Sequence, residues 1–483
     1  MSNLGSLNRV PAGGGRISNL GTKITYDPTW SSPLNVKRKA ENISFTVVYY
    51  LFVCLWFGVA VYALVTGDAE KYSDFYRDSE DLIFKEGWII AIVLPLAAFL
   101  SILCLLLLRV AARPVVYTMI ALFFIGLLAL VITLGFFLAY DQSKLYIALF
   151  VSSVLVLIIF FWLFIVKYKF IPMICEIIRE ASKAMLAFPL MFFYAIAYCV
   201  VSGGFLIFTV CLFFWIESIG SDDDYPAHLV LCHLINGVAL VWILCHMYGF
   251  FKVSVSGAYG TWYWTMNKKE VPKFTTLRFI YIAFRYHIGP TAFGSLIIMV
   301  CTILQILLAF ASSWSGVDAN AGADLYNCGL HCCDTVLYIL KAVVEAVTGM
   351  AYVHIGNHGT GFIDAARISF TLFKRNYAKI AVLTQIVELL CFFMDATITA
   401  LSFLLFWGLL HTQSVKLEER LGLLTCFLVC IYFTVDSIVL LLMIATDTIF
   451  MCVLEDYEMN GGSSRPYHMS NKLKDLVLEN RLD

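Results

Sequence analysis

Ten long apolar stretches, separated by polar connections whose Lys and Arg content alternates along the chain, leave this sequence one environment in which to fold, a lipid bilayer. The stretches lie at about 43–65, 88–108, 115–139, 144–166, 187–216, 229–251, 289–311, 335–356, 380–410 and 422–446. A spanning helix needs about 20 mostly apolar residues, and each stretch supplies them. Only helices and closed barrels satisfy their backbone polar groups within lipid, and barrel strands would be about ten residues long and alternating. Nothing here alternates, so the expected fold is an all-α polytopic membrane protein with about ten transmembrane helices. Composition agrees, with 61% hydrophobic and 14% charged residues and a mean hydropathy of +0.84.

An even number of spans places both termini on one side. About 26 of the 33 Lys and Arg fall in the tails and even-numbered connections, so that side is expected to be cytoplasmic. The acidic run Asp222 to Asp224 and the stretch from Ser312 to Asp334, which has no Lys or Arg, then face outward. Residues 1–42 form the expected disordered cytoplasmic N-terminal tail, dominated by Gly, Ser, Asn and Pro as far as Pro33. Residues 43–446 form the ten-helix domain, and 447–483 a cytoplasmic C-terminal tail. The first apolar run follows Lys37, Arg38 and Lys39 and is long enough to remain as a span, so no cleaved signal peptide is expected. Asn42-Ile43-Ser44 has the form of a glycosylation acceptor at the inner edge of a span, where it is expected to stay bare.

A net charge of −1 argues against nucleic-acid binding. Most of the fifteen cysteines are scattered through spans as packing residues, and the cluster Cys328, Cys332, Cys333 lacks a second ligand pair, so neither metal nor cofactor is expected. Glycine-rich phosphate loops, the His-Glu-X-X-His zinc pair and serine elbows are absent, which argues against an enzyme. The remaining classes, transporter, channel or membrane-embedded enzyme, are best separated by ionisable residues within spans. Glu345, Glu388, Asp395 and Asp436 are such residues. Glu345 follows Lys341 by four residues and could pair with it, whereas Glu388 and Asp395 are seven apart and share a helix face that could line a polar cavity or contact neighbouring hydroxyls. Trp242, Tyr248, Tyr259, Trp262, Tyr263 and Trp264 crowd span six and its continuation. An aromatic face beside a carboxylate holds ammonium groups, but Trp262 and Trp264 also suit an interfacial aromatic belt, the reading favoured for them. Gly257 and Gly260 suit close helix packing.

Several runs go further. SGAYGTWYW (Ser256 to Trp264, including Gly257, Trp262 and Tyr263), RYHIG (Arg285, Tyr286, His287, Ile288, Gly289) and FGSLI (Phe293 to Ile297) resemble the choline transporter-like family. So do AYVHIGNHGTGF (Ala351 to Phe362, with Tyr352 and Gly359), and DTIFMCVLED (Asp447 to Asp456, with Thr448 and Glu455) followed by RPYHMS at Arg465 to Ser470. The helix containing EASKAM (Glu180 to Met185) before span five is also similar. The resemblance implies a plasma-membrane transporter, not an enzyme, that moves choline or ethanolamine without sodium, with proton exchange. Its partners would be the bilayer and a small cationic solute. A channel, or a member with a structural or regulatory role, is the alternative. The candidate substrate-binding residues are Trp242, Glu345, Glu388 and Asp395. The connection after span one has only about 22 residues, where many animal members carry a large domain. Lys252 stands where the family often has Gln, His246 where it is usually apolar, and Asp395 where Lys is frequent. The two opposite charges, Lys252 and Asp395, are therefore expected to neutralise each other.

Overall fold

The computed structural model describes residues 30–140, 144–220, 226–315, 321–411, 417–460 and 467–479. Every regular element among them is helical: α1 (Ile43–Thr66), α2 (Ala69–Tyr140), α3 (Lys144–Lys167), α4 (Ile171–Ala187), α5 (Leu190–Ile219), α6 (Ala227–Trp264), α7 (Thr275–Tyr286), α8 (Ile288–Ser315), α9 (Ala321–His358), α10 (Phe362–His411), α11 (Leu417–Asn460) and α12 (Asn471–Glu479), with short 3-10 turns between. Nine helices among the described residues are long and apolar enough to cross a membrane.

One of the nine crosses twice. The apolar part of α2, Trp88–Tyr140, has 53 residues, or about 80 Å if straight, against a hydrocarbon core of about 30 Å. It breaks at Ala111, whose φ of −115° and ψ of 27° are not helical, three residues before Pro114. Just before the break, the Arg109 carbonyl accepts a bond from Arg179 of α4 at 3.3 Å. Beyond it the chain runs antiparallel to α3, with Phe123 against Phe160 and Phe137 against Tyr146. Ala111 thus separates the two spans expected at 88–108 and 115–139. An even number of crossings also follows from the ends of the described chain. Trp30 and His468 both pack on Trp264, with ring centroids 4.7 and 5.0 Å away, so both ends sit at one face of the bundle, called here the tail face.

Two further long helices contain segments that do not cross. Asn42 Oδ1 accepts from the Phe362 N–H at 3.0 Å, and Arg375 clamps Glu458 through Nε and Nη2 at 3.0 and 2.9 Å. Residues 362–375 therefore run along the tail face before α10 turns into the bundle at Asn376, whose backbone is non-helical. At its tail-face end α6 is buried on every side from Phe251 to Trp264, because α4, α7, α9 and α11 surround it. The approach needs glycine: a Cβ on Gly257 would collide with the Phe279 ring of α7, and one on Gly260 with Asn357 of α9. Gly257→Ala is expected to lose about 1–3 kcal/mol of stability, read as a lower thermal midpoint in detergent. An unchanged midpoint would mean that α7 shifts away at no cost.

Candidate functional site

Four carboxylates of α10 and α11 gather around one buried thiol. Cys391 has Glu388, Asp395, Asp436 and Asp447 as its electrostatic neighbours. Their exposure is graded. Glu388 is exposed, Asp447 and Asp436 are partly covered, and Asp395 is 7% exposed. Asp395 Oδ1 has no hydrogen-bond partner among the described residues, and neither have the Thr399 and Ser402 hydroxyls on the same helix. The spacing i, i+4, i+7 puts all three on one face, forming a buried polar stripe along α10. Hydroxyls in a spanning helix usually bond back to the carbonyl four residues earlier, as Thr434, Ser437 and Thr446 of α11 do. Buried polar atoms left without protein partners are the exception in folded chains and mark a place for water or ligand.

The expected pairing of Lys252 with Asp395 does not occur. Lys252, 3% exposed, donates instead to Asp447 Oδ2 at 2.7 Å, and its ammonium lies 5.9 Å from the centre of the Tyr248 ring. The cause is depth: Lys252 lies toward the tail-face end of α6, level with the corresponding part of α11. Gly349 of α9 leaves room for the ammonium, which would be 3.0 Å from a Cβ there. The departure from Gln at 252 is therefore neutralised by Asp447, and Asp395 has no ion pair among the described residues. Beside the acids, Tyr198 of α5 stacks on Phe251 at 4.5 Å and has Tyr248 and Asp436 as electrostatic neighbours. Tyr198 carried no sequence signal, because one more aromatic in an apolar span is unremarkable until its neighbours are known.

The other candidate residues lie elsewhere. Trp242 is buried against Tyr49 and Phe52 of α1 and donates to the Ala292 carbonyl at 3.3 Å, in a cluster separate from the acids. Glu345 is half exposed, with a carboxylate oxygen 3.7 Å from Lys341 Nζ. His246 is buried against Tyr49, with ring centroids 4.2 Å apart. Trp262 and Trp264 are not an interfacial belt. They are 6% and 5% exposed, covered by Lys268, Trp30 and His468. Cys333 is a free, exposed thiol, and Cys328 and Cys332 fall among residues whose side chains are not described, as Asp222 to Asp224 lie outside the described residues.

Most of the motif residues build the tail face. Tyr263 donates to Asp456 Oδ2 at 3.0 Å, and the same oxygen accepts the His468 and Met469 backbone N–H groups, seating the chain that leads into α12. Lys268 donates to the Trp262 and Tyr263 carbonyls at 2.8 and 2.7 Å, and burial lowers its pKa to about 8. Arg285 covers Tyr286 at 5.8 Å, Tyr352 donates to the Thr291 carbonyl, Thr448 to that of Ile444, and Glu455 is bonded to His354 and His358.

Residues 30–42, expected to be disordered, form a packed strap across this face. Arg38 donates to the Ile355 and Gly356 carbonyls in the last turn of α9 at 3.2 and 2.7 Å, the first of which also accepts the Gly359 N–H at 2.8 Å. Gly359, at φ +70°, terminates α9 in the left-handed conformation that glycine adopts freely. Arg38 also donates to His287 Nε2 at 2.7 Å. Burial and the Arg38 charge hold the His287 pKa at about 3, so its ring is neutral and accepts; the Arg38 pKa, lowered to about 10 by burial, leaves that side chain charged near neutral pH. Gly289 gives the strap passage, since a Cβ there would meet the Glu41 and Asn42 carbonyls at 2.6 and 2.5 Å. A Gly- and Ser-rich tail cannot fold alone, yet this part of it folds on the bundle because the helix ends need its donors and acceptors. Arg38→Ala is expected to cost about 2–3 kcal/mol and to speed tryptic cleavage at the exposed Lys37 and Lys39. Cleavage at the wild-type rate would show that Arg38 does not hold the strap.

Among the described residues, an all-helical bundle with nine helices long and apolar enough to cross a membrane, a buried polar stripe on α10 and both described ends packed at one face defines a polytopic membrane protein. Residues 150–458 match the model of the family described as plasma-membrane choline transporter, and the chain belongs to that choline transporter-like family. It is 32% identical over 251 residues to choline transporter-like protein 1 of Caenorhabditis briggsae, covering 50% of this chain and 32% of the relative. It is 28% identical over 268 residues to choline transporter-like protein 2 of Xenopus laevis (53% and 37%) and 28% over 278 residues to that of Danio rerio (55% and 39%). The matched stretch thus spans about a third of the length of these relatives.

Proposed function

We propose that this chain carries choline, or a related small ammonium solute such as ethanolamine, across the plasma membrane without sodium, in exchange for protons, with both termini in the cytoplasm. The observation that carries the reading is the buried stripe of Asp395, Thr399 and Ser402, whose Oδ1 and hydroxyls have no hydrogen-bond partner among the described residues. A carboxylate in that setting is expensive to keep, and a cation in transit supplies the compensating charge. The Tyr198 ring, with Asp436 and Tyr248 as its electrostatic neighbours, and the Tyr248 ring offer cation–π faces worth about 0.5–2 kcal/mol each to an ammonium group stripped of water. Lys252 does not oppose the cation, because Asp447 neutralises it. Glu388, exposed on the same face of α10 as Asp395, is the acid at the mouth of the path. The cytoplasmic placement of the termini rests on the excess of Lys and Arg in the tails and even-numbered connections.

Tracer uptake into proteoliposomes containing the purified protein tests this. Saturable choline uptake that ethanolamine competes, that persists without sodium and that rises with an outward proton gradient is the expected result. Uptake equal to that of empty liposomes would reject transport, and uptake that ignores the gradient would reject proton exchange alone.

A further inference from the structure

A third polar cluster lies apart from the acidic stripe, at the tail face under the strap. His354 and His358 are one helical turn apart on α9, so both project from the same side, and their rings stack with centroids 4.3 Å apart at 27°. Glu455 of α11 faces them and is 1% exposed. One carboxylate oxygen lies 3.4 Å from His354 Nδ1 and the other 3.0 Å from His358 Nε2, and one ligand atom from each residue falls within 4.8 Å of the others. A tetrahedral shell with bonds of about 2.0–2.1 Å has edges of about 3.3 Å, and each imidazole nitrogen lies at about that distance from one of the two carboxylate oxygens.

We propose that His354, His358 and Glu455 hold a divalent transition-metal ion of the Zn2+ class. Two imidazoles and a carboxylate form a nitrogen-rich donor set that suits Zn2+ or Co2+, and it lacks the many oxygens that Ca2+ and Mg2+ require. Charge points the same way. With both imidazoles neutral, as ligands must be, Glu455 is a deeply buried anion, and a divalent ion compensates it directly. Three protein ligands leave a fourth position for water or a neighbouring donor. The Trp30 ring, stacked on His358 at 4.8 Å, roofs the cluster, so loading passes the strap. Bound metal joins the end of α9 to α11 and so resists their separation at this face.

The test uses the purified full-length protein in detergent, stripped with a chelator and titrated with Zn2+ by calorimetry and with Co2+ by visible absorption. The expected result is one saturable equivalent per chain, a Co2+ spectrum of tetrahedral intensity, and a thermal midpoint raised by Zn2+ and lowered by the chelator. His358→Gln and Glu455→Gln are each expected to weaken binding at least tenfold and to abolish the shift in midpoint. Glu455 is fully buried and its variant could fail to fold, so the partly exposed His358 carries the comparison. Absence of stoichiometric binding to the wild type would mean that the cluster is held by hydrogen bonds alone. Binding unchanged in folded His358→Gln would place the metal elsewhere. Either result overturns the proposal, and neither depends on whether choline is transported.

Discussion

Asp395→Asn is expected to cut choline uptake per delivered molecule by about tenfold or more, equivalent to ~1.4 kcal/mol of lost cation stabilisation, while the protein folds and reaches the membrane at least as well as wild type. The two halves of this expectation have one cause. Asp395 Oδ1 lacks a hydrogen-bond partner among the described residues, and a neutral amide is easier to bury there than an ionised carboxylate. What is lost is the anion that a passing ammonium group would neutralise. Glu388→Gln is expected to weaken uptake less, because the Glu388 carboxylate is exposed where that of Asp395 is buried. Radiotracer uptake normalised to surface-labelled protein, together with thermal unfolding in detergent, separates the readings. Normal uptake per molecule in Asp395→Asn, with a lower midpoint, would make Asp395 a structural residue and remove it from the path.

The largest stability effect is expected at the pair joining α6 to α11. Asp447→Asn leaves the Lys252 ammonium, 3% exposed, without its counter-ion, a change that costs about 3–5 kcal/mol when a buried pair is broken from one side. Lys252→Met is expected to cost less, since Asp447 is 24% exposed and can be hydrated. The double variant Lys252→Met, Asp447→Leu is expected to recover most of the loss, because well-packed apolar side chains replace a buried ion pair with little penalty. Monodisperse yield and thermal midpoint measure all three. Losses that simply add in the double variant would show that the two residues do not compensate each other.

The spans were legible in the sequence because lipid imposes one rule on every residue that crosses it: backbone polar groups must bond within the segment, so each crossing is written as a long apolar run. That rule determined the all-helical class, the ten crossings, including the two that a single helix runs together across Ala111, and the presence of carboxylates within spans. The motifs around Gly257, Tyr352 and Asp447 determined the family. Partnership was decided only by the tertiary structure. Lys252 met Asp447 rather than Asp395 because pairing depends on relative depth and rotation of helices far apart in sequence, and an uncertainty of about three residues in a span boundary is ~5 Å of depth, longer than an ion pair. Composition makes residues 30–42 look disordered because it reports only whether a segment can fold alone. It is silent on the unpaired helix ends of α9 and α10, whose groups Arg38 and Asn42 satisfy. Trp262 and Trp264 were assigned to lipid for the same reason: a local aromatic signal does not reveal that the strap and the chain before α12 close over it. What the sequence determined is what each segment must do by itself in a bilayer, and what the structure decided is which distant groups meet there.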